Sequence, residues 1–369
     1  MTQSPTVDRA PDRPAAARAR GRNPHVKDFM VLRNRVREEG LMARSYGFYW
    51  ARLIGLPLAL VALGALSVYL GDTWWQLAVA ATFALVLTQV MFLGHEAAHR
   101  QIFASAKWNE WVSLVLVNLI LGMGLDWWQN KHGRHHSQPN QKGADPDVDP
   151  GALVYTQEDV QGRGNRLGRW ITSKQGYYFF PLLTLTVFGL HMNSIKRLVS
   201  KEPGPRRWLE LTFIAIRHSA LIAFVFLAMS PVYALAFLGV MMTVFGFYMG
   251  MSFATNHIGM PMVPKGVRID FLRRQVLMSR NIAGGRLMDN AMGGLNLQIE
   301  HHLFPQMSRP NLRRVAPMVR EYCTELGIDY HESRLGRAYR DVASYINQVG
   351  RGGIDVWNCP LAATLRTVG

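Results

Sequence analysis

The chain has 369 residues, of which 49% are hydrophobic, and a formal net charge of +16 at pH 7. Its two cysteines are too few for the four thiolates that normally hold an iron–sulfur cluster, and they argue against a disulfide framework. No nucleic-acid reader motif accompanies the basic charge, which argues against a nucleic-acid-binding protein. The apolar residues form long blocks, and this distribution indicates a membrane protein.

Residues 1–24 are rich in Pro, Ala and Arg and have little apolar surface, so we expect a disordered basic tail. Four long apolar blocks follow, each close to the roughly 20 residues that a helix needs to cross the hydrocarbon core. They cover residues 48–70, 74–94, 209–229 and 232–255. The first block is too long for the core of a signal peptide, so we expect it to remain as a membrane anchor.

The basic residues around these blocks predict their orientation. The links at 71–73 and 230–231 contain no Lys or Arg, whereas the opposite ends of the blocks are flanked by basic residues. The positive-inside rule then places both termini and the basic flanks in the cytoplasm. Two shorter apolar stretches, 111–125 and 176–192, are expected to lie in the interface or to re-enter the membrane. A single crossing at either stretch would move the basic residues that follow it to the other side of the membrane. The predicted fold class is an all-α, multi-pass membrane protein with four transmembrane helices.

Seven of the twelve histidines fall into three groups. The groups are His95 and His99 in "HEAAH", then His132, His135 and His136 in "KHGRHH", and finally His301 and His302 in "QIEHH". Spacings of three and four residues bring side chains to one face of a helix. No predicted span lies between the first and second groups, and two lie between the second and third. All three groups are therefore expected at the cytoplasmic side.

The first group alone fits the H-E-x-x-H pattern, in which two histidines bind zinc and the glutamate acts as general base. A membrane zinc protease is therefore one hypothesis. It leaves the other two groups without a role, and seven imidazoles exceed the three protein ligands of a catalytic zinc. Two metal ions with open positions suit this supply better, and Glu96 would then accept an N–H from a ligand histidine.

The first group together with "WWQNKHGRHHSQPN" (127–140) and "GGLNLQIEHHLFP" (293–305) resembles the integral-membrane fatty acid desaturase family, in particular its front-end branch. The resemblance implies four transmembrane helices beneath a cytoplasmic helical cap, which holds a non-haem di-iron site. It also implies dioxygen-dependent insertion of a double bond into an acyl chain. The iron ligands that it implies are His95, His99, His132, His135, His136, His257, His301 and His302, with Gln298 as a further candidate.

Other residues are expected to support this site. Glu96, Asn256 and Glu300 are expected to hydrogen-bond its ligands. The segment "GADPDVDPG" (143–151) lacks the glycine and glutamate of a calcium loop, so its aspartates are expected to orient the second histidine group or the surrounding loop. Candidates for binding the substrate head group are Lys131, Lys196, Arg197, Arg273 and Arg274. The alternative is that these five are ordinary positive-inside residues.

Two further segments bear on the organisation of the chain. Arg217 and His218 lie within the third block, where charge is costly, and the sequence leaves their role open. A helix is predicted from Ser308 to Gly327, with Pro310 in its first turn. The predicted organisation is a basic tail at 1–24, a membrane desaturase domain at 25–335 and a C-terminal cytoplasmic tail at 336–369.

The predicted function is dioxygen-dependent desaturation of an acyl-CoA or an acyl-lipid, with two iron ions and two external electrons. The His-Pro-Gly-Gly motif of a fused haem domain does not occur, so the expected electron donor is a separate ferredoxin or similar carrier with its reductase. Two alternatives stay open: a lipid hydroxylase or ketolase on the same di-iron scaffold, and a zinc hydrolase built on "HEAAH".

Overall fold

The computed structural model of the chain describes residues 25–353, which are mostly helical. The predicted disordered tail at 1–24, and residues 354–369 of the predicted C-terminal tail, lie outside the described residues. The first nine helices are α1 (Val26–Glu38), α2 (Tyr46–Leu70), α3 (Gln76–Ala98), α4 (Ala106–Leu114), α5 (Leu125–Ser137), α6 (Gln157–Gln161), α7 (Arg166–Thr172), α8 (Gln175–Leu183) and α9 (Thr186–Leu198).

The second half of the described chain adds seven helices and two short strands. They are α10 (Arg207–Ala228), α11 (Pro231–His257), α12 (Phe271–Leu277), β1 (Asn281–Ala283), α13 (Arg286–Ala291), α14 (Gln298–Leu303), α15 (Arg309–Glu325), β2 (Glu332–Arg334) and α16 (Leu335–Gly350). A π-helical segment, Val115–Ile120, extends α4, and a 3-10 turn, Pro146–Val148, follows α5. β1 and β2 pair in parallel.

Four of these helices, α2, α3, α10 and α11, are long and apolar enough to cross a membrane. Their bounds agree with the four predicted blocks to within a few residues. α3 lies at the centre, packing extensively against both α11 and α2. Few side chains of α2 and α10 are buried within the protein, as expected where lipid covers a helix. The prediction of an all-α membrane protein with four long membrane helices is confirmed.

The two shorter apolar stretches form bent helix pairs. The α4 segment, with its π-helical extension, meets α5 at 116°, and α8 meets α9 at 73°. Bends of this size occur in re-entrant loops and in broken spans. They allow α5, which carries the second histidine group, to leave the membrane region at the same end as α3.

Arg217 and His218 stabilise the bend before α5. The Arg217 guanidinium donates a hydrogen bond to the carbonyl of Ile120, and rings of His191 and His218 lie 3.0 and 3.3 Å from the next two carbonyl oxygens. The bend leaves these carbonyls without intrahelical hydrogen bonds, and a membrane interior offers no water to replace those bonds. The charged residue within the third span therefore compensates for an interrupted helix.

A layer formed by α12 to α15 covers the end of the bundle that carries the histidines. α15 begins at Arg309 and ends just before Gly327, whose φ of 63° favours glycine. Ser308 precedes the helix as predicted, but its hydroxyl donates to the carbonyl of Gln101 at 3.2 Å and not to the helix. The helix is thereby tied to the loop that follows α3.

The amphipathic helix α16 packs on the membrane domain. Its buried side chains Ala338, Val342 and Ile346 lie on one face, and the helix packs against α8. The predicted boundary at residue 335 is the first residue of this helix. Residues 336–350, assigned to a tail from the sequence, are therefore packed against the body of the protein.

Candidate metal centre

Eight histidines, all expected as ligands from the sequence, lie together at one end of the bundle in two sets. Set 1 comprises His95, His99, His132, His136 and His301, and set 2 comprises His135, His257 and His302. Within each set, one nitrogen from every ring lies within 4.8 Å of the others. The sets adjoin each other, because the rings of His136 and His302 stack with centroids 4.2 Å apart.

Helix geometry explains how neighbouring residues reach different sets. His132 and His136 are four residues apart on α5 and point to set 1, whereas the intervening His135 points to set 2. On α14, the adjacent residues His301 and His302 also diverge, since consecutive side chains differ by about 100° around a helix axis. One short helix can thus supply ligands to two neighbouring ions.

The distances between imidazole nitrogens suit a bound metal. Two nitrogens bound to one ion at about 2.1 Å are separated by about 3.0–3.4 Å when their angle at the ion lies between 90° and 109°. The observed Nε2 to Nε2 distances are 2.8 Å for His99–His132, 3.1 Å for His95–His132, 3.2 Å for His136–His301 and 3.3 Å for His135–His257. These donors need little movement to bind a cation.

Burial favours the neutral imidazole at His99, His301 and His302. Desolvation lowers the pKa of His99 to about 4 and holds the pKa of His301 and His302 well below the ordinary histidine value. Neutral imidazole carries the lone pair that a metal ligand requires. The Nε2 atom of His302 is buried and has no hydrogen-bond partner, as expected for a nitrogen directed at an ion.

A cavity of about 340 Å³ extends from the histidines between α3, α8, α9 and α11. Its apolar lining includes Met91, Phe179, Leu183, Leu190, Met249 and Phe253. His95, His132, His135 and His257 also line it. An apolar chain in this cavity would therefore lie directly beside the metal-binding nitrogens.

Comparison with known proteins identifies the family. Residues 72–334 match the family described as fatty acid desaturase. The chain belongs to the fatty acid desaturase family. The desaturase is accordingly an oxidoreductase of lipid metabolism that acts on fatty acyl substrates in membranes.

Similar proteins come from animals and plants. The desaturase is 28% identical to fatty acid desaturase 3 of Bos taurus over 340 residues, which cover 90% of this chain and 74% of the relative. It is 29% identical to fatty acid desaturase 3 of Homo sapiens over 348 residues, with the same coverage. The Delta(8)-fatty-acid desaturase of Helianthus annuus is 28% identical over 331 residues, which cover 83% of this chain and 71% of the relative.

In set 2 of the desaturase, the Nδ1 atom of every histidine contacts a hydrogen-bond acceptor of the protein. The Nδ1 contacts are His135 to a carboxylate oxygen of Asp145, His257 to the carbonyl of Met278, and His302 to the amide oxygen of Gln275, each at 2.9 Å. Such contacts select the tautomer that leaves Nε2 free for a metal. Asp145 belongs to the segment 143–151, so the expectation that its aspartates orient the second histidine group is confirmed.

Gln298 lies beside set 2. Its Nε2 is 2.9 Å from Nε2 of His257, and its Oε1 accepts a hydrogen bond from Asn256 at 3.0 Å. Rotation of the amide by half a turn would present the oxygen to the same position, because an amide has a donor end and an acceptor end. Asn256 thus contacts the set through Gln298, and not through a histidine.

The two glutamates beside the histidines have different partners from those predicted. Both carboxylate oxygens of Glu96 accept hydrogen bonds from Arg309, and Glu300 accepts from Asn281 and Tyr330 at 2.7 and 2.8 Å. In this structure the Glu96 carboxylate is bonded to Arg309, so its predicted role of accepting an N–H from a ligand histidine stays a prediction. The same ion pair argues against Glu96 as the general base of a zinc protease.

The candidates for the head group are dispersed. Lys131 lines the cavity and forms an ion pair with Asp147, whereas Lys196 is exposed on α9. Arg197 lies near Asp126 at 3.5 Å. Only the first of these is placed to meet a ligand in the cavity.

The two arginines of α12 are engaged in the fold. Arg273 forms an ion pair with Asp28 at 3.0 Å, which joins α12 to α1. Arg274 is buried and donates a hydrogen bond to Gln141. A head group would have to displace these contacts, and the role of both arginines in binding the substrate stays a prediction.

Gln275 is the residue that sequence reasoning missed. Its side chain contacts Nδ1 of His302 and also donates to the backbone carbonyl of His136 at 3.0 Å. It thereby joins ligands from α5 and α14. The local sequence "FLRRQVL" contains no signal for this role, since one glutamine in a short helix is usually a surface residue.

Proposed function

We propose that this desaturase uses two iron ions to insert a double bond into the acyl chain of an acyl-CoA or an acyl-lipid. Two adjoining sets of buried and half-buried imidazoles, four of which line an apolar cavity, support the proposal. Imidazole suits iron as well as zinc and copper, and family membership favours iron. Bound iron would supply the oxidising power by reducing dioxygen to two waters with two external electrons, two protons and the two hydrogens of the acyl chain.

The proposed ligands of one iron are the five histidines of set 1. Those of the other are the three histidines of set 2, with the oxygen of Gln298 as a further ligand after the amide rotates. Asp145, Gln275 and the carbonyl of Met278 hold the set 2 rings in place. Such contacts typically strengthen metal binding by tenfold to a hundredfold.

The cavity would hold the acyl chain and exclude water. Trp128 stacks on His132 with ring centroids 4.4 Å apart, so it supports a proposed ligand and also lines the cavity. The carbons that lie against the histidines would be the ones that lose hydrogen. The depth of the cavity beyond that point would then set the position of the double bond.

We propose that the histidine end faces the cytoplasm, where most of the basic flanking residues are expected. Electrons would come from a ferredoxin or a similar small carrier with its reductase. An acidic carrier would be attracted by the net charge of +16.

The test combines metal content with product analysis. The desaturase is co-expressed with a ferredoxin and its reductase in a host of simple lipid composition, and derivatised acyl chains are analysed by mass spectrometry. We expect new unsaturated chains and two equivalents of iron in the purified protein. His301→Ala and His302→Ala should abolish the new unsaturated chains and the bound iron. His331→Ala, which lies outside the two histidine sets, should change neither.

Two results would contradict the proposal. One equivalent of zinc without iron would exclude a di-iron centre. Hydroxylated or ketone products without new double bonds would show that the protein is a lipid hydroxylase or ketolase. Including the electron carrier ensures that a missing donor does not explain an absent product.

A further inference from the structure

The short helix α7 carries exposed apolar side chains on one face. Leu167, Trp170 and Ile171 are 65%, 62% and 45% exposed, and their spacing of three and four residues places them side by side. Tyr177, near the start of α8, is a further exposed aromatic residue, with 67% of its surface accessible. Clusters of large exposed apolar side chains commonly mark a contact with a protein or a membrane.

The other face of α7 is fixed to the protein. Thr172 is buried, and its carbonyl lies so close to Gly350 of α16 that a side chain at residue 350 would not fit. The apolar face of α7 is consequently held outward by tight packing on the opposite side. It is a rigid part of the surface and not the tip of a loose loop.

Basic residues flank the apolar surface. Arg166, Arg169 and Lys174 are exposed, and none of them forms an ion pair with an acid among residues 25–353. Long basic side chains can lay their stems along apolar groups while their charges reach phosphates. Trp and Tyr are likewise enriched where hydrocarbon meets the head groups. The combination is complementary to the surface of an anionic bilayer.

The segment that follows α7 is suited to a membrane. α7 leads into the bent pair of α8 and α9, which is apolar enough to enter a membrane. α8 also lines the cavity through Phe179 and Leu183. We infer that α7 lies in the head-group region of the bilayer, with its apolar side chains among the acyl chains and its arginines on lipid phosphates. It would anchor one wall of the cavity to the lipid, whichever metal the histidines bind.

Depth-dependent fluorescence quenching tests this inference. Cys323 and Cys359 are replaced with alanine, and an environment-sensitive fluorophore is attached to a new cysteine at Leu167, Trp170 or, as a control on the exposed side of α15, Thr324. The full chain is placed in nanodiscs of phosphatidylcholine and phosphatidylglycerol that contain lipids with a quencher near the head group. Labels at the first two positions should be quenched strongly, and the label at the control position should not.

A label at residue 167 or 170 that is quenched no more than the control would overturn the inference, and it would favour a protein partner for α7. The role of the arginines has its own test. Arg166→Gln combined with Arg169→Gln should weaken quenching in these anionic nanodiscs, and unchanged quenching would exclude their binding to lipid phosphates. The labelled positions and the two arginines are exposed, whereas Cys323 is buried, so retention of bound metal is measured to verify that each variant folds.

Discussion

The carboxylate of Glu96 and the guanidinium of Arg309 form a buried, two-pronged ion pair that joins α3 to α15. Glu96 is 2% exposed and Arg309 is 4% exposed, and one of the two hydrogen bonds measures 2.7 Å. Because Glu96 lies between His95 and His99 in the chain, the pair holds the turn of helix that carries both histidines. The glutamate of the H-E-x-x-H pattern therefore has a structural role here.

Breaking this pair should destabilise the protein strongly. Arg309→Met leaves the Glu96 carboxylate buried without a counter-charge, and we expect a loss of about 3–5 kcal/mol in the free energy of unfolding. The double variant Glu96→Leu with Arg309→Met should recover most of it, because no unpaired charge remains. Chemical unfolding in detergent measures both. Arg320→Met, which breaks the exposed pair with Glu332, should cost under about 1 kcal/mol.

Asp145 and Asp149 provide a matched pair in one loop. Asp145→Ala removes the nearer of two carboxylates beside Nδ1 of His135, the other being Asp147 at 3.3 Å, and we expect metal affinity to fall by about tenfold to a hundredfold. Asp149 is exposed, so Asp149→Ala should leave affinity unchanged. Chelator competition monitored by metal analysis compares the two variants. Equal affinities would show that the contact to His135 does not support metal binding.

Gln298 should affect the second metal position selectively. Gln298→Leu removes both amide atoms beside His257, and we expect one of two metal equivalents to become easier to remove with a chelator. Gln298→His introduces a nitrogen donor at the same place and should slow that loss. Gln348→Ala on the exposed face of α16 is the control. Identical chelation kinetics for all four proteins would place Gln298 outside the metal site.

Arg217 should contribute to stability through the bend before α5. Arg217→Met leaves the carbonyl of Ile120 without its donor in an apolar region, which should cost about 1–3 kcal/mol. The shift in thermal unfolding temperature in detergent reports this loss. Arg286→Met, at an exposed position, should cause no comparable shift. A similar shift in both variants would indicate a general effect of charge.

Features that depend on nearby residues could be predicted from the sequence. The four long membrane helices follow from the length of each apolar block, and the start and end of α15 follow from Pro310 and Gly327. The candidate histidines could be selected because spacings of three and four residues align side chains on a helix. Each of these properties is expressed within one segment of the chain, whatever the rest of the fold does.

The tertiary structure decided which residues meet. Glu96 and Arg309 are 213 residues apart in the chain, and Gln275 contacts histidines from two different helices. The division of eight histidines into sets of five and three, and the pairing of Arg217 with a broken helix, likewise depend on how distant helices pack. Spacing along a helix tells which way a side chain points, but only packing brings a partner to it.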